Sequence, residues 1–232
     1  MALTTLQCKS GAVRISQLSE ETGVRVATVK YYLREGLLPP GERTAANQAS
    51  YGTAHVERLR LIRALVEVGG VPLAGVKAVL ASLEQPPGTL HDLLGTVQDA
   101  ITPRPQRAGG PDWDDARADV ARLVEDLGWQ IRRDAPALDQ LTDVLLAYRA
   151  VTGADLDPGA CFGAAARTAA ELAAAEVPNV TGEGPAETAR NLVVGTVLGG
   201  RAFDVLRRLA HEDVSSRLLG SAPGGDGMTH NK

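Results

Sequence analysis

Within ten positions the chain sets out Arg25, Thr28, Lys30, Tyr31 and Arg34. The cations suit phosphate oxygens, and the hydroxyl and phenol groups suit the edges of bases. A second polar group follows in Arg43, Asn47, Gln48 and Tyr51, with Arg58 a little further on. Together these side chains point to recognition of a nucleic acid.

The apolar residues between them say what must hold them. Ile15, Leu18 and Thr22 face inward on a short helix, with Ser16 placed to cap it and Gly23 supplying a sharp turn. Val26, Val29 and Leu33 recur at helical spacing and predict a second helix from Val26 to Glu35. Gly36 ends it as a left-handed cap, and Leu37-Leu38-Pro39-Pro40 cannot continue it. Helix, glycine turn and helix make a helix-turn-helix, whose second helix can lie in the DNA major groove. Arg25 stands where a short capping residue is usual. It forfeits roughly 1 kcal/mol of capping but sets a guanidinium at the helix end that meets a duplex. Tyr31 and Tyr32 are about 100° apart on a helix, so one packs and the other is exposed; Tyr31 is the expected DNA contact. The polar run up to Ser50 reads as a two-stranded wing, with Arg43 and Tyr51 flanking its tip and Asn47 and Gln48 near the DNA backbone. A third helix, Thr53 to Val68, places Val56, Leu59, Ile62 and Val66 on one face until Gly69-Gly70 stops it. A fourth starts at Pro72 and turns Leu73, Val76, Val79, Leu80 and Leu83 inward.

Val29-Lys30-Tyr31-Tyr32, then Arg34-Glu35-Gly36-Leu37-Leu38-Pro39, then Arg43…Asn47…Tyr51 occur in order, followed by His55-Val56-Glu57-Arg58-Leu59 and Ile62-Arg63. In these motifs the sequence resembles the MerR family of bacterial transcription regulators over about residues 13–84. The resemblance implies a homodimer on double-stranded promoter DNA, a phosphate contact for Arg34, and an effector that twists the DNA so that RNA polymerase can engage. One departure stands out. The family pattern has a long helix pairing antiparallel with its twin, whereas Leu90, Leu93, Leu94, Val97 and Ile101 mark a helix that Pro103, Pro105 and Gly109-Gly110-Pro111 close early. Thirteen residues span only about 20 Å.

The rest reads as an all-helical body. Asp112 is placed to cap a helix bearing Trp113, Ala116, Val120, Leu123, Val124, Leu127 and Ile131. Pro136 starts another, with Leu138, Leu141, Leu145, Tyr148 and Val151 on one stripe. Asp157-Pro158 launches an alanine-rich helix to Val177, and Pro185 opens a last helical region, bent near Gly199-Gly200 and ending near Leu219. The fold class expected is therefore all-α with a small β wing. The expected divisions are a tail over 1–12, a winged helix-turn-helix head over 13–84, a linker with a short helix over 85–111, an effector and dimerisation domain over 112–219, and a disordered tail over 220–232.

Charge follows the same division. The whole chain carries −4, but residues 1–84 hold ten Lys/Arg against seven Asp/Glu and residues 85–232 hold fourteen against twenty-one. A basic head on an acidic body is compatible with DNA binding, because attraction to phosphate depends on the local patch. Arginine supplies 20 of the 24 basic residues, a bias that hints at a GC-rich bacterial genome. No membrane-length apolar run or signal-peptide layout is present, so the expected location is cytoplasmic. Cys8 and Cys161 give no disulfide framework, and with no His/Cys cluster no metal or other cofactor is expected; Cys161 reads as a buried small residue. There is no Ser/His/Asp order and no glycine-rich phosphate loop, so an enzyme is not expected. The aromatics of the body favour a small organic effector, with Trp129, Tyr148 and Phe162 as pocket candidates. The alternative is a drug-sequestering protein with a secondary DNA-binding role.

Overall fold

The computed structural model describes residues 13–45, 48–85, 88–102 and 109–219. The expected tails at 1–12 and 220–232 lie outside them. Ten α-helices and one two-stranded sheet are formed by the described residues. As expected, the described residues are mostly helical, with one small two-stranded wing.

Helices α1 (Ile15–Thr22) and α2 (Val26–Arg34) form the helix-turn-helix. The N-cap of α1 is Arg14 rather than Ser16; no side chain caps the first turn, and the Gln17 side chain accepts from the Arg14 backbone N–H at 3.0 Å. α2 ends in two reverse bonds, Leu37 N–H to Tyr32 C=O at 2.9 Å and Gly36 N–H to Leu33 C=O at 3.3 Å. Gly36 sits at φ 72°, the left-handed region that this closure requires. Strands β1 (Glu42–Ala45) and β2 (Gln48–Ser50) pair antiparallel with a bulge between Arg43 and Ala45. Val13 and Tyr51 exchange both backbone hydrogen bonds, at 2.8 and 2.9 Å, and tie the start of the head to the foot of the wing.

The third helix is shorter than its periodicity suggested. α3 (Thr53–Arg63) widens into a π-helical turn over Ala64–Val68, and α4 (Leu73–Glu84) follows. Leu18, Val29, Leu37, Leu38, Leu59, Ile62, Leu65, Val76 and Val79 are buried in one cluster. That cluster does not stop at residue 84. Leu93 and Val97 of α5 (Leu90–Ile101) belong to it, and so do Ala189, Leu192 and Val193 of α9 (Pro185–Val194). Val197 joins them from a second π-helical turn, Gly195–Gly199. The two π turns meet: a Cβ on Gly69 would stand 2.3 Å from Val197 Cγ1. The short α5 thus packs as a layer of the head, between α4 and α9.

The body proper is thin. α6 (Pro111–Asp126) and α7 (Pro136–Thr152) pack together around Ala116, Val120, Leu138 and Leu145, with Phe162 of α8 (Pro158–Glu176) partly buried beside them. Three details differ from the expected pattern. Gly110 is the N-cap of α6 and Pro111 its first residue, so Asp112 lies in the first turn instead of capping it. α6 stops at Asp126, because Gly128 at φ 69° closes it with the same pair of reverse bonds as Gly36, Trp129 N–H reaching Val124 C=O at 3.1 Å. Trp129 and Ile131 therefore leave the helix and are exposed. The α7 stripe is buried at Leu138 and Leu145, but Val151 lies uncovered at its end. Asp157 does cap α8, accepting from Ala160 N–H at 2.8 Å, and Cys161 is half-buried rather than enclosed. α10 (Gly200–Leu219) is the last element among the described residues and has no buried residue.

Candidate nucleic-acid interface

The second helix of the head offers its N-terminus and one side to solvent. Arg25, at the N-cap, is exposed and its side chain makes no capping bond. Lys30 and Arg34 are exposed, and Thr28 is half-buried. Tyr32 is the tyrosine that packs, 7% exposed in the core, and Tyr31 lies half-buried beside it at 5.9 Å between ring centres. Burial pushes the Tyr32 phenol above its ordinary value, with Glu67 and Tyr31 adding to the effect, so it stays neutral. The Arg34 guanidinium stands 5.3 Å from the centre of the Tyr31 ring. This stacking holds a cation and an aromatic face together at the surface. Arg34 also approaches Glu35 at 3.8 Å, an exposed pair of little strength.

The wing supplies Arg43 and Gln48, both exposed on its two strands. Asn47 lies outside the described residues. Arg14, exposed one residue after the Val13–Tyr51 bridge, adds a cation near the foot of the wing that sequence reasoning had not assigned.

Two expected contact residues turn inward. Tyr51 is 5% exposed; its ring lies edge-on to His55 at 5.2 Å and packs where a Cβ on Gly41 would meet it at 2.9 Å. Its place at the end of a strand that alternates sides puts it under the wing. Arg58 is tied to the protein: Nε donates to the Leu37 carbonyl at 2.5 Å and Nη1 pairs with Glu84 at 2.6 Å. It fastens the exit of α2 to α3 and to the end of α4, so it is a positioning residue. Arg63 does similar work at the other turn. Its Nη1 donates to the Thr22 carbonyl at 3.1 Å and occupies the space a side chain on Gly23 would need. His55 accepts the Gly52 N–H on Nδ1 at 3.2 Å, which fixes the start of α3 under the wing. The only signals for these roles were residue type and spacing, and an arginine near a helix-turn-helix looks the same in sequence whether it faces DNA or a carbonyl.

In the body, Tyr148 and Phe162 meet edge to face at 5.9 Å, and Tyr148 is half exposed. Trp129 makes no ring contact with them among the described residues. An open cleft of about 630 Å³ is lined by other side chains, including Asp112, Asp115, Asp119, Leu146 and Arg149. Arg149 is largely committed there, donating to Asp119 at 2.6 Å and to the Leu156 carbonyl at 2.9 Å. The hydrogen bond to Asp119 raises its pKa further above the usual arginine value. Among the described residues no group of three or more His, Cys, Asp or Glu is gathered as a metal site, and no helix is long and apolar enough to cross a membrane.

Comparison with known proteins points to the same segment. Residues 13–83 match the family described as MerR HTH family regulatory protein. The mercuric resistance operon regulatory protein of Bacillus cereus is 39% identical over 56 residues, 24% of this chain and 42% of that protein. The nodulation protein NolA of Bradyrhizobium elkanii is 45% identical over 56 residues, 24% of this chain and 26% of its own length. An HTH-type transcriptional regulator ZntR homolog of Haemophilus influenzae is 38% identical over 50 residues, 22% of this chain and 37% of that one. The matches thus take in less than half of each curated relative. A solved structure extends further: a putative transcriptional regulator from Streptomyces coelicolor A3(2) is 32% identical, with a TM-score of 0.60, over 90% of this chain and 99% of that one.

Proposed function

We propose that this chain, which belongs to the MerR family of helix-turn-helix transcriptional regulators, binds promoter DNA as a homodimer through α2 and the wing. The observation that carries the reading is the set of exposed cations on α2, with Arg25 at its N-terminus and Lys30 and Arg34 one turn apart on one side. Arg25, Lys30 and Arg34 present cations, and Arg34 is stacked on Tyr31, whose neighbour Tyr32 anchors the pair in the core. In this reading Arg25, Lys30, Arg34 and Arg43 meet phosphates, Thr28 and Tyr31 meet base edges, and Gln48 and Asn47 lie along the backbone. A helix entering a major groove sees about one half-site, so a pseudo-palindromic site calls for two copies. The DNA-reading unit is residues 13–84 roofed by α5 and α9, which makes the body part of its support.

An organic effector held by the body remains part of the proposal. Its best support is the edge-to-face pair Tyr148 and Phe162, half open to solvent, and Trp129 stands apart from it. The head tells against a protein whose main task is sequestering a drug, because Arg14, Arg25, Lys30, Arg34 and Arg43 all stand exposed on the helix-turn-helix and its wing. A location in the cytoplasm and recruitment of RNA polymerase follow from the same role.

The test is DNA binding against salt. Arg34→Ala and Arg43→Ala should each weaken binding across sequences and lower the salt slope by about 1. Tyr31→Phe and Thr28→Ala should change base preference while leaving that slope in place. Unaltered affinity and slope in both arginine variants would remove α2 and the wing from the interface.

A further inference from the structure

α10 is a twenty-residue helix, about 30 Å long, in which no side chain is buried. Half of its residues are polar, but they leave one side largely apolar. Ala202, Phe203, Val205, Leu206, Leu209, Ala210 and Val214 fall on one side at spacings of three and four, with Val205 39%, Leu206 61%, Leu209 56% and Val214 45% exposed. An apolar stripe of that width is the mark of a helix that faces a core, and here none of the described residues buries it. The end of α8 adjoins it, since a Cβ on Gly199 would stand 3.4 Å from Glu176 Oε1. α8 is an alanine-rich helix of nineteen residues in which only Pro158 is buried.

We infer that the apolar face of α10, with the adjoining end of α8, is the seam on which a second copy of this chain docks. The inference rests on the dimer proposed above and says where that dimer is made. Three observations select a second copy over another occupant. The first is extent: the uncovered apolar side runs from Ala202 to Val214, about 20 Å of helix, long enough for two copies to pack side by side over several turns. The second is charge. α10 carries four arginines and three carboxylates in mixed order, which suits neither a strongly acidic nor a strongly basic partner. Arg208 and Glu212 share one flank, and Glu212 has no ion-pair partner among the described residues. An antiparallel pair centred on Ala210 sets each of these charges opposite its complement, as an isologous contact requires. The third is continuity. α9, the π turn and α10 run without a break from the head core at Val193 and Val197. A two-fold contact on α10 therefore fixes the distance between two heads, which is what half-sites demand. It also accounts for a short α5, which is spent as a layer of the head.

Sedimentation velocity of the full chain without DNA tests the inference. The wild type should run at twice the chain mass at micromolar concentration. Leu206→Glu and Leu209→Glu should run at the single mass, and Val151→Glu, placed on an exposed position of α7, should stay double. Should a glutamate variant lose helical signal, Leu209→Ser decides instead, with a tenfold or greater weakening of association expected. A monomeric wild type overturns the inference, and so does a dimer that none of the α10 variants weakens. A dimer through α10 that fails to bind promoter DNA would sink the DNA-binding proposal alone; a monomer that still binds it would sink only the seam.

Discussion

The head and the body are built from the same kind of helix, yet they differ in how much of themselves they bury. In the head, Leu18, Val29, Leu59, Ile62, Leu65, Val76 and Val79 are wholly or almost wholly enclosed, and α9 closes the cluster from far along the chain. In the body, Ala116, Val120, Leu138 and Leu145 make up the separate buried group, while α8 and α10 lie open. A few enclosed side chains contribute only some kcal/mol, about 1.5–3 kcal/mol each, against an ordering cost that grows with every residue. The contrast teaches that the head is held by one large core that α9 completes, whereas the body is held by a small one and leaves two helices open. A reader of DNA needs fixed side chains; a part that senses or assembles can leave surface free.

The sharpest way to break this comparison is to charge each core in turn. Val193→Asp puts an unpaired carboxylate into the head core from α9 and should cost roughly 4–5 kcal/mol or more, abolishing DNA binding. Leu145→Asp does the same to the small core of α6 and α7 and should leave the head folded, so that DNA affinity falls less than in Val193→Asp, read by fluorescence anisotropy alongside thermal melting. Equal loss of binding in both would mean that head and body unfold as one.

A smaller effect separates two arginines of the head. Arg58→Ala removes the bond to the Leu37 carbonyl and the pair with Glu84; it should lower stability by about 1–3 kcal/mol while the salt slope of DNA binding holds. Arg34→Ala should do the reverse. Chemical denaturation beside a salt titration distinguishes them, and matching profiles would erase the distinction between positioning and contact.

The smallest effect compares two glycines with one geometry. Gly36→Ala and Gly128→Ala both force a side chain into positive φ with open space around it, at a cost of about 1–2 kcal/mol each. Only the first should also weaken DNA binding, because it moves the exit of α2.

Those glycines show what could be read in the chain beforehand. Gly36 follows an apolar period that ends cleanly and precedes two prolines, so the stop was plain. Gly128 sits inside a period that continues through Ile131, and the apolar spacing ran past a cap that uses the same bonds. The positions of α2, the wing and α4 were legible because local turn chemistry and apolar period agree there. The inward partners of Tyr51 and Arg58 were not legible, because a polar side chain near the interface carries no local mark of the carbonyl or ring it will meet. α9 escaped notice as part of the head for a related reason: no local signal announces which distant core a helix will complete.

The distance along the chain between α4 and α9 governs how the protein comes into being. Synthesis delivers the N-terminal segment first, but Ala189, Leu192, Val193 and Val197 arrive only after the entire stretch from α5 to α8 has been made. Until then the sides of α4 and α5 that pack on α9 lack their cover, and a contact of such long range is slow to form. A nascent chain therefore passes through a period in which the future DNA reader is a sticky, unfinished helix cluster. A message cut short before α9 would yield material for chaperones and proteases, not a small unregulated competitor for promoter sites.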